Sequence, residues 1–205
     1  MYCGFDTETT GLPRSNTTTD TAKNRWKPLP DYRDLAAYDN ARLVQVCFML
    51  INRHGIQETY TRYINTGVYI PNTEFHGITN AIVAEHGITI EQFFRDLEVI
   101  LNKSSVLFAY NIQFDLNIIK SELFRFSVNN ATYAERLIAL LDAKMCTCIM
   151  AYASERMHIN RSPSMKQFYY FAFGKDFEKA HTADADVRAM HDAMVKCGFP
   201  FDWTL

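Results

Sequence analysis

The sequence predicts an α/β domain: a mixed sheet of about five strands, the first three antiparallel, flanked by helices. Three observations carry this. Met1–Phe5 is a short apolar opening of the kind that forms a central strand. Leu43–Asn52 is a β-rich apolar run, followed by a turn at His54-Gly55 and a returning strand over Gln57–Asn65. Beyond these, apolar strand-like stretches alternate with helix-period ones, the order expected of an α/β layer architecture.

Taken in order, the opening strand starts at the first residue, so residues 1–205 are expected to form a single domain with none before it. From about residue 14 to residue 40 the chain is polar, with a threonine run, Pro28 and Pro30 and no sustained period, which predicts a long loop between the first two strands. Ile90–Leu101 places Phe93, Phe94, Leu97, Ile100 and Leu101 at helical spacing. Val106–Tyr110 predicts a buried strand and Phe114–Phe124 the helix after it. Leu137–Asp142 has the apolar look of a further strand end, with helix following through Tyr152. Ser164–Phe173 and Ala183–Lys196 predict the last two helices.

A chain of 205 residues can bury a substantial core. Its formal net charge of −2 excludes binding nucleic acid by phosphate neutralisation alone; local features or bound metal would have to supply the attraction. The 5 cysteines lie mostly in apolar runs and are expected to be reduced, buried thiols, and Cys146 and Cys148 lack the spacing of a zinc knuckle. With no signal peptide or membrane run visible, an intracellular setting is expected, cytoplasm or nucleoid or nucleus, in a bacterial or viral context among others.

Three acidic clusters carry chemistry. In Phe5-Asp6-Thr7-Glu8, strand alternation projects Asp6 and Glu8 from one face. Two neighbouring carboxylates repel unless a cation lies between them, and hard oxygen donors suit Mg²⁺ or Mn²⁺; an exposed strand end with two solvated carboxylates is the plainer alternative. The second cluster, Asn111-Ile112-Gln113-Phe114-Asp115, follows an apolar strand and opens a helix, so Asp115 lies at a strand's carboxyl end, where α/β sheets bind ligands. Simple helix capping by Asn111 would also account for it. The third, His181-Thr182-Ala183-Asp184-Ala185-Asp186, enters the last helix; His181 is a candidate base or a surface histidine.

Together and in this order the clusters resemble the DnaQ-like (DEDDh) 3′→5′ exonucleases of the ribonuclease H-like fold, a family that includes polymerase proofreading subunits, RNase T and oligoribonuclease. The motif D-x-E-T-T-G-L is matched from Asp6 to Leu12, N-x-x-F-D by Asn111, Phe114 and Asp115, and H-x-A-x-x-D by His181, Ala183 and Asp186. Phe75-His76-Gly77-Ile78-Thr79 is similar to the family's H-G-I-T element. Thr182 stands where the other branch of the superfamily has tyrosine, which indicates the histidine branch. The 14–40 excursion is longer than the family's usual connection.

The resemblance implies two-metal hydrolysis of the terminal phosphodiester, preferentially of single-stranded or frayed DNA, with two Mg²⁺ or Mn²⁺ ions and release of 5′-nucleoside monophosphates. RNA remains an alternative substrate, in the manner of RNase T or oligoribonuclease. Asp6, Glu8, Asp115 and Asp186 would be the metal ligands, Asp6 shared between the ions, and His181 the general base toward the attacking water. Thr9, Thr10 and Leu12 would border the terminal nucleotide through backbone N–H groups and an apolar wedge. Asn111 and Phe114 would line the same pocket, with His76 opposite. Phe114 would serve equally as ordinary core.

Two further segments stay open on sequence. Arg14, Lys23, Arg25, Trp26, Lys27, Tyr32 and Arg33 interleave cations with aromatics as single strands favour, or form a solvated loop with one packed Trp. The aromatic tail Cys197-Gly198-Phe199-Pro200-Phe201-Asp202-Trp203 either packs on the domain or docks a polymerase or a second subunit. No membrane partner is expected.

Overall fold

The computed structural model describes residues 1–14, 28–71, 73–177 and 182–204. It is a mixed α/β fold, in chain order β1 (Tyr2–Thr9), α1 (Leu35–Tyr38), β2 (Leu43–Asn52), β3 (Gly55–Asn65), α2 (Thr73–His76), α3 (Asn80–His86), β4 (Ile88–Thr89), α4 (Ile90–Lys103), β5 (Val106–Ala109), α5 (Ile112–Asp142), β6 (Met145–Cys148), α6 (Ile149–Arg156), α7 (Met165–Phe173) and α8 (Ala183–Lys196). The sheet has six strands in the order β4-β3-β2-β1-β5-β6. As the sequence suggests, β1, β2 and β3 are consecutive antiparallel neighbours. The strand beyond the expected five or so is the two-residue β4, parallel to the end of β3.

Alternation along β1 divides its side chains between two cores. Cys3 and Phe5 join Phe48, Phe93, Leu97, Ile119 and their neighbours beneath α4 and α5. Tyr2 joins Cys47, Met49, Phe108, Phe168, Val187 and Met190 beneath α6, α7 and α8. On that second face Gly4 lies opposite Phe108 of β5, whose ring would stand 2.6 Å from any Cβ placed there. Only glycine lets the ring approach so closely.

Four expectations are corrected. Leu137–Asp142 is not a strand end but the last turns of α5, where buried Ala134, Leu137 and Leu141 follow a helical period. A short apolar run reads alike in either structure, and its helical partners lay outside the window. Accordingly α5 runs well past Phe124, over 31 residues that form two helical segments joined at a kink at Asn130 (φ −144°, ψ 46°). The strand lies beyond it, at β6, and α6 begins only at Ile149. Within the expected 14–40 loop, residues 28–40 are ordered by α1, with Tyr38 buried and its hydroxyl donating to the Pro30 carbonyl at 2.8 Å. Tyr32 of this segment packs edge-on against Phe124 of α5, and its ring carries the Arg33 guanidinium at 4.7 Å and the Lys120 ammonium at 5.6 Å. Lys23, Arg25, Trp26 and Lys27 lie outside the described residues.

The aromatic tail packs on its own domain. Phe201 meets Tyr2 edge-on at 5.1 Å and stacks on Trp203 at 4.9 Å, and the Asp202 N–H donates to the Tyr2 hydroxyl at 2.7 Å. Among the described residues no helix is long and apolar enough to cross a membrane.

Candidate active site

The parallel pairing of β1 with β5 ends at Gly4–Phe108, whereas its antiparallel pairing with β2 continues through Asp6–Cys47 and Glu8–Gln45. The carboxyl end of β1 therefore runs on past β5, and its even-numbered residues face α8. Asp6 and Glu8, both half-buried, meet Asp186 from the first turns of α8, and the three offer ligand atoms within 4.8 Å of one another.

Asp115 reaches the strand from the other side. Thr7, between the two β1 carboxylates, points toward α5, and Asp115 Oδ1 accepts both the Thr7 N–H at 3.0 Å and the Thr7 hydroxyl at 2.7 Å. One strand thus holds all four acidic residues in one neighbourhood: two it carries, one it faces, one it binds. Asp115 is not a member of the close three-carboxylate group, but its charge acts on Asp6. Asn111 occupies the N-cap of α5 without a side-chain capping bond, so capping does not explain that cluster.

The electrostatics are those of negative charges confined beside one another. Asp6 is held well above the usual carboxylate range by desolvation first, then by the charges of Asp115, Asp186 and Glu8. Glu8 rises to about 7 through burial and then Asp186 and Asp115. Asp115 also rises to about 7, burial outweighing the two Thr7 bonds that favour its charged form. Carboxylates that oppose one another's ionisation in this way, with only hard oxygen donors, fit a divalent cation.

Two supports escaped the sequence analysis. Gln45 is 3% exposed, and its Oε1 accepts the Ala183 N–H at 3.0 Å, which docks the N-terminus of α8 beside Glu8. Glu122, 2% exposed, takes the Arg42 guanidinium at 2.7 and 2.9 Å and the Leu43 N–H at 3.2 Å. It ties the start of β2 to the helix that carries Asp115. A signal existed for Glu122: a carboxylate two helical turns after Asp115, on the same face, amid apolar residues. For Gln45 there was none, because its partner is 138 positions away.

The expected nucleotide contacts are distributed as follows. The Thr9 hydroxyl donates to the Gly11 carbonyl at 2.7 Å. Thr10 is buried, its N–H donating to the Arg42 carbonyl at 2.9 Å and its hydroxyl to the Asn40 carbonyl at 2.9 Å, so its backbone N–H is engaged within the protein. Leu12 is 75% exposed just beyond β1, Asn111 is exposed, and Phe114 is half-buried against the α4–α5 core. His76 is buried, and its Nδ1 accepts the Ile78 N–H at 3.0 Å around Gly77 (φ +72°). His181 lies outside the described residues.

Comparison with known proteins gives a consistent picture. The exonuclease family model named RNase_T matches residues 3–194. Among solved structures, exonuclease X in complex with 5′ overhanging duplex DNA superposes with a TM-score of 0.53 at 15% identity, covering 98% of this chain and 95% of that one. A full-length 3′-exonuclease superposes with a TM-score of 0.60 at 14% identity, covering 96% of this chain; the chain spans 60% of that protein's length. No curated protein sequence matches.

Proposed function

The chain belongs to the exonuclease family, and on that premise we propose that it is a 3′→5′ exonuclease releasing 5′-nucleoside monophosphates from nucleic-acid 3′ ends, with single-stranded or frayed DNA preferred. The observation that carries the reading is the convergence of Asp6, Glu8 and Asp186 within 4.8 Å beside the Thr7-bound Asp115. Asp6, Glu8 and Asp186 would hold one Mg²⁺ or Mn²⁺ ion, and Asp115 with Asp6 a second. Such ions, when bound, neutralise charge on the attacked phosphate and lower the barrier to forming the nucleophile.

The protein's own groups do the rest. His181 accepts the proton of the attacking water at its imidazole, a task suited to an ordinary histidine pKa of about 6.5. Thr7 orients Asp115, and Gln45 orients the helix that carries Asp186. Leu12, Asn111 and Phe114 border the terminal nucleotide, the Thr9–Thr10 turn shapes that border, and His76 sets the turn opposite. The 3′ direction and the DNA preference draw support from structural neighbours described as a 3′-exonuclease and as an exonuclease on duplex DNA. Five free thiols support a reducing, intracellular setting.

The test is release of labelled mononucleotide from a 3′-labelled oligonucleotide with Mg²⁺ and none with EDTA, across single- and double-stranded DNA and RNA. Asp6→Ala and Asp186→Ala should abolish turnover with the fold retained. His181→Ala should slow turnover by roughly 10²–10⁴ with metal binding kept. Full activity in either aspartate variant would overturn the reading.

A further inference from the structure

Away from the carboxylates, α7 and the turns on either side of it border an open groove of about 610 Å³. Its character follows from how α7 is set. Ser164 and Gln167 form a capping box at its start, and Phe168 turns inward, fully buried. Tyr169 packs on Phe173 and on Phe177, with ring centroids 4.6 and 5.2 Å apart. That leaves two adjacent ridges facing out, Lys166 with Tyr170 and Gln167 with Phe171, each pair one helical step of four apart. Tyr170 is 58% and Phe171 50% exposed. Arg161 joins them, its guanidinium 3.3 Å from the Gln167 amide oxygen, and Asp176 closes the wall.

Two large rings left in solvent beside two cations suit an occupant with both π-faces and negative charge. A single nucleic-acid strand has both: bases stack on the rings and phosphates meet Lys166 and Arg161. The two cations outnumber the one carboxylate in the lining, although the whole chain is net −2. The place also fits. Asp176 is six residues before Thr182, the N-cap of the helix bearing Asp186, a reach of at most roughly 20 Å. We propose that this groove is an upstream strand-binding site, holding the substrate several nucleotides 5′ of the bond being cut. The inference rests on the exonuclease reading and adds to it a dependence on substrate length.

The test compares wild type with Lys166→Ala/Tyr170→Ala and with Arg161→Ala, on a DNA dinucleotide and on a much longer single strand. For the long strand KM should rise roughly five- to a hundred-fold, the worth of about one stacked base, with kcat unchanged and the dinucleotide unaffected. Equal losses on both substrates would mean a structural effect and overturn the proposal. Fluorescence anisotropy of labelled single-stranded DNA in EDTA tests the groove without turnover, so a wild-type protein that cuts nothing would sink the exonuclease reading alone. Unchanged affinity in the variants would sink the groove. Sedimentation that shows a wild-type dimer dissolved by the same substitutions would assign this face to a second copy of the chain and likewise overturn it.

Discussion

Glu8 shows how much of the site is repulsion held in check. Its carboxyl titrates near 7 rather than at the ordinary 4.5, and Asp115 near 7 rather than 3.8. Raised folded-state values mean that, between roughly pH 4 and 7, the folded protein binds more protons than the unfolded chain. The associated stability is full below the unfolded values and is lost as pH rises through the folded ones. Without metal, the protein should therefore melt at a lower temperature at pH 7.5 than at pH 5. Thermal melts in EDTA check this, and Mg²⁺ should restore the loss at the higher pH. Glu8→Gln should flatten the slope; an identical slope in wild type and variant would remove the cluster as its cause.

Among the elements, α8 has the most exacting position, because Asp186 has to meet residues of a strand laid down at the other end of the chain. Gln45 accepts its first free N–H from within the sheet. Gln45→Ala leaves that donor buried without a partner, a cost of about 1–3 kcal/mol. The melting temperature should fall by roughly 2–4 °C per kcal/mol for a protein of this size. At temperatures where the variant stays folded, kcat should still drop, and an unchanged kcat would leave Gln45 with a purely structural part. The sequence exposed α8 to the residue because its apolar spacing and its acidic first turn are local. The same locality made β2 and the opening of α4 legible. It did not extend to the far half of α5, where an apolar run of strand length belongs to the helical segment beyond the Asn130 kink, nor to α1, whose one turn is held by tertiary contacts of Tyr38 and not by its own period. The carboxylates were legible as a motif set. Gln45 and the Thr7–Asp115 bond were not, since each is a long-range pairing with no spacing rule behind it; Glu122 left only its helical spacing from Asp115 as a sign, and its partners Arg42 and Leu43 were equally out of reach.

For the whole molecule, the two chain ends are brought together at β1. Phe201 and Trp203 cover Tyr2, and Phe199 meets Tyr152 at 5.0 Å, so the tail caps the α6–α8 core. Phe201→Ala should destabilise by roughly 1–3 kcal/mol, as loss of a half-buried aromatic in a ring cluster does, while metal affinity measured by calorimetry stays at the wild-type value. A variant with wild-type stability would reassign the tail to an external partner.

Strand β1 sends Phe5 and Thr7 to one side and Asp6 and Glu8 to the other. A shift of a single position would exchange the sides at every residue at once. Carboxylates would be driven among phenylalanines, and Phe5 would be left where the cations belong. Over the span from Gly4 to Glu8, then, side chains can be traded in the course of descent, but the count of residues cannot change: packing and chemistry share one phase, and neither can be retuned without the other.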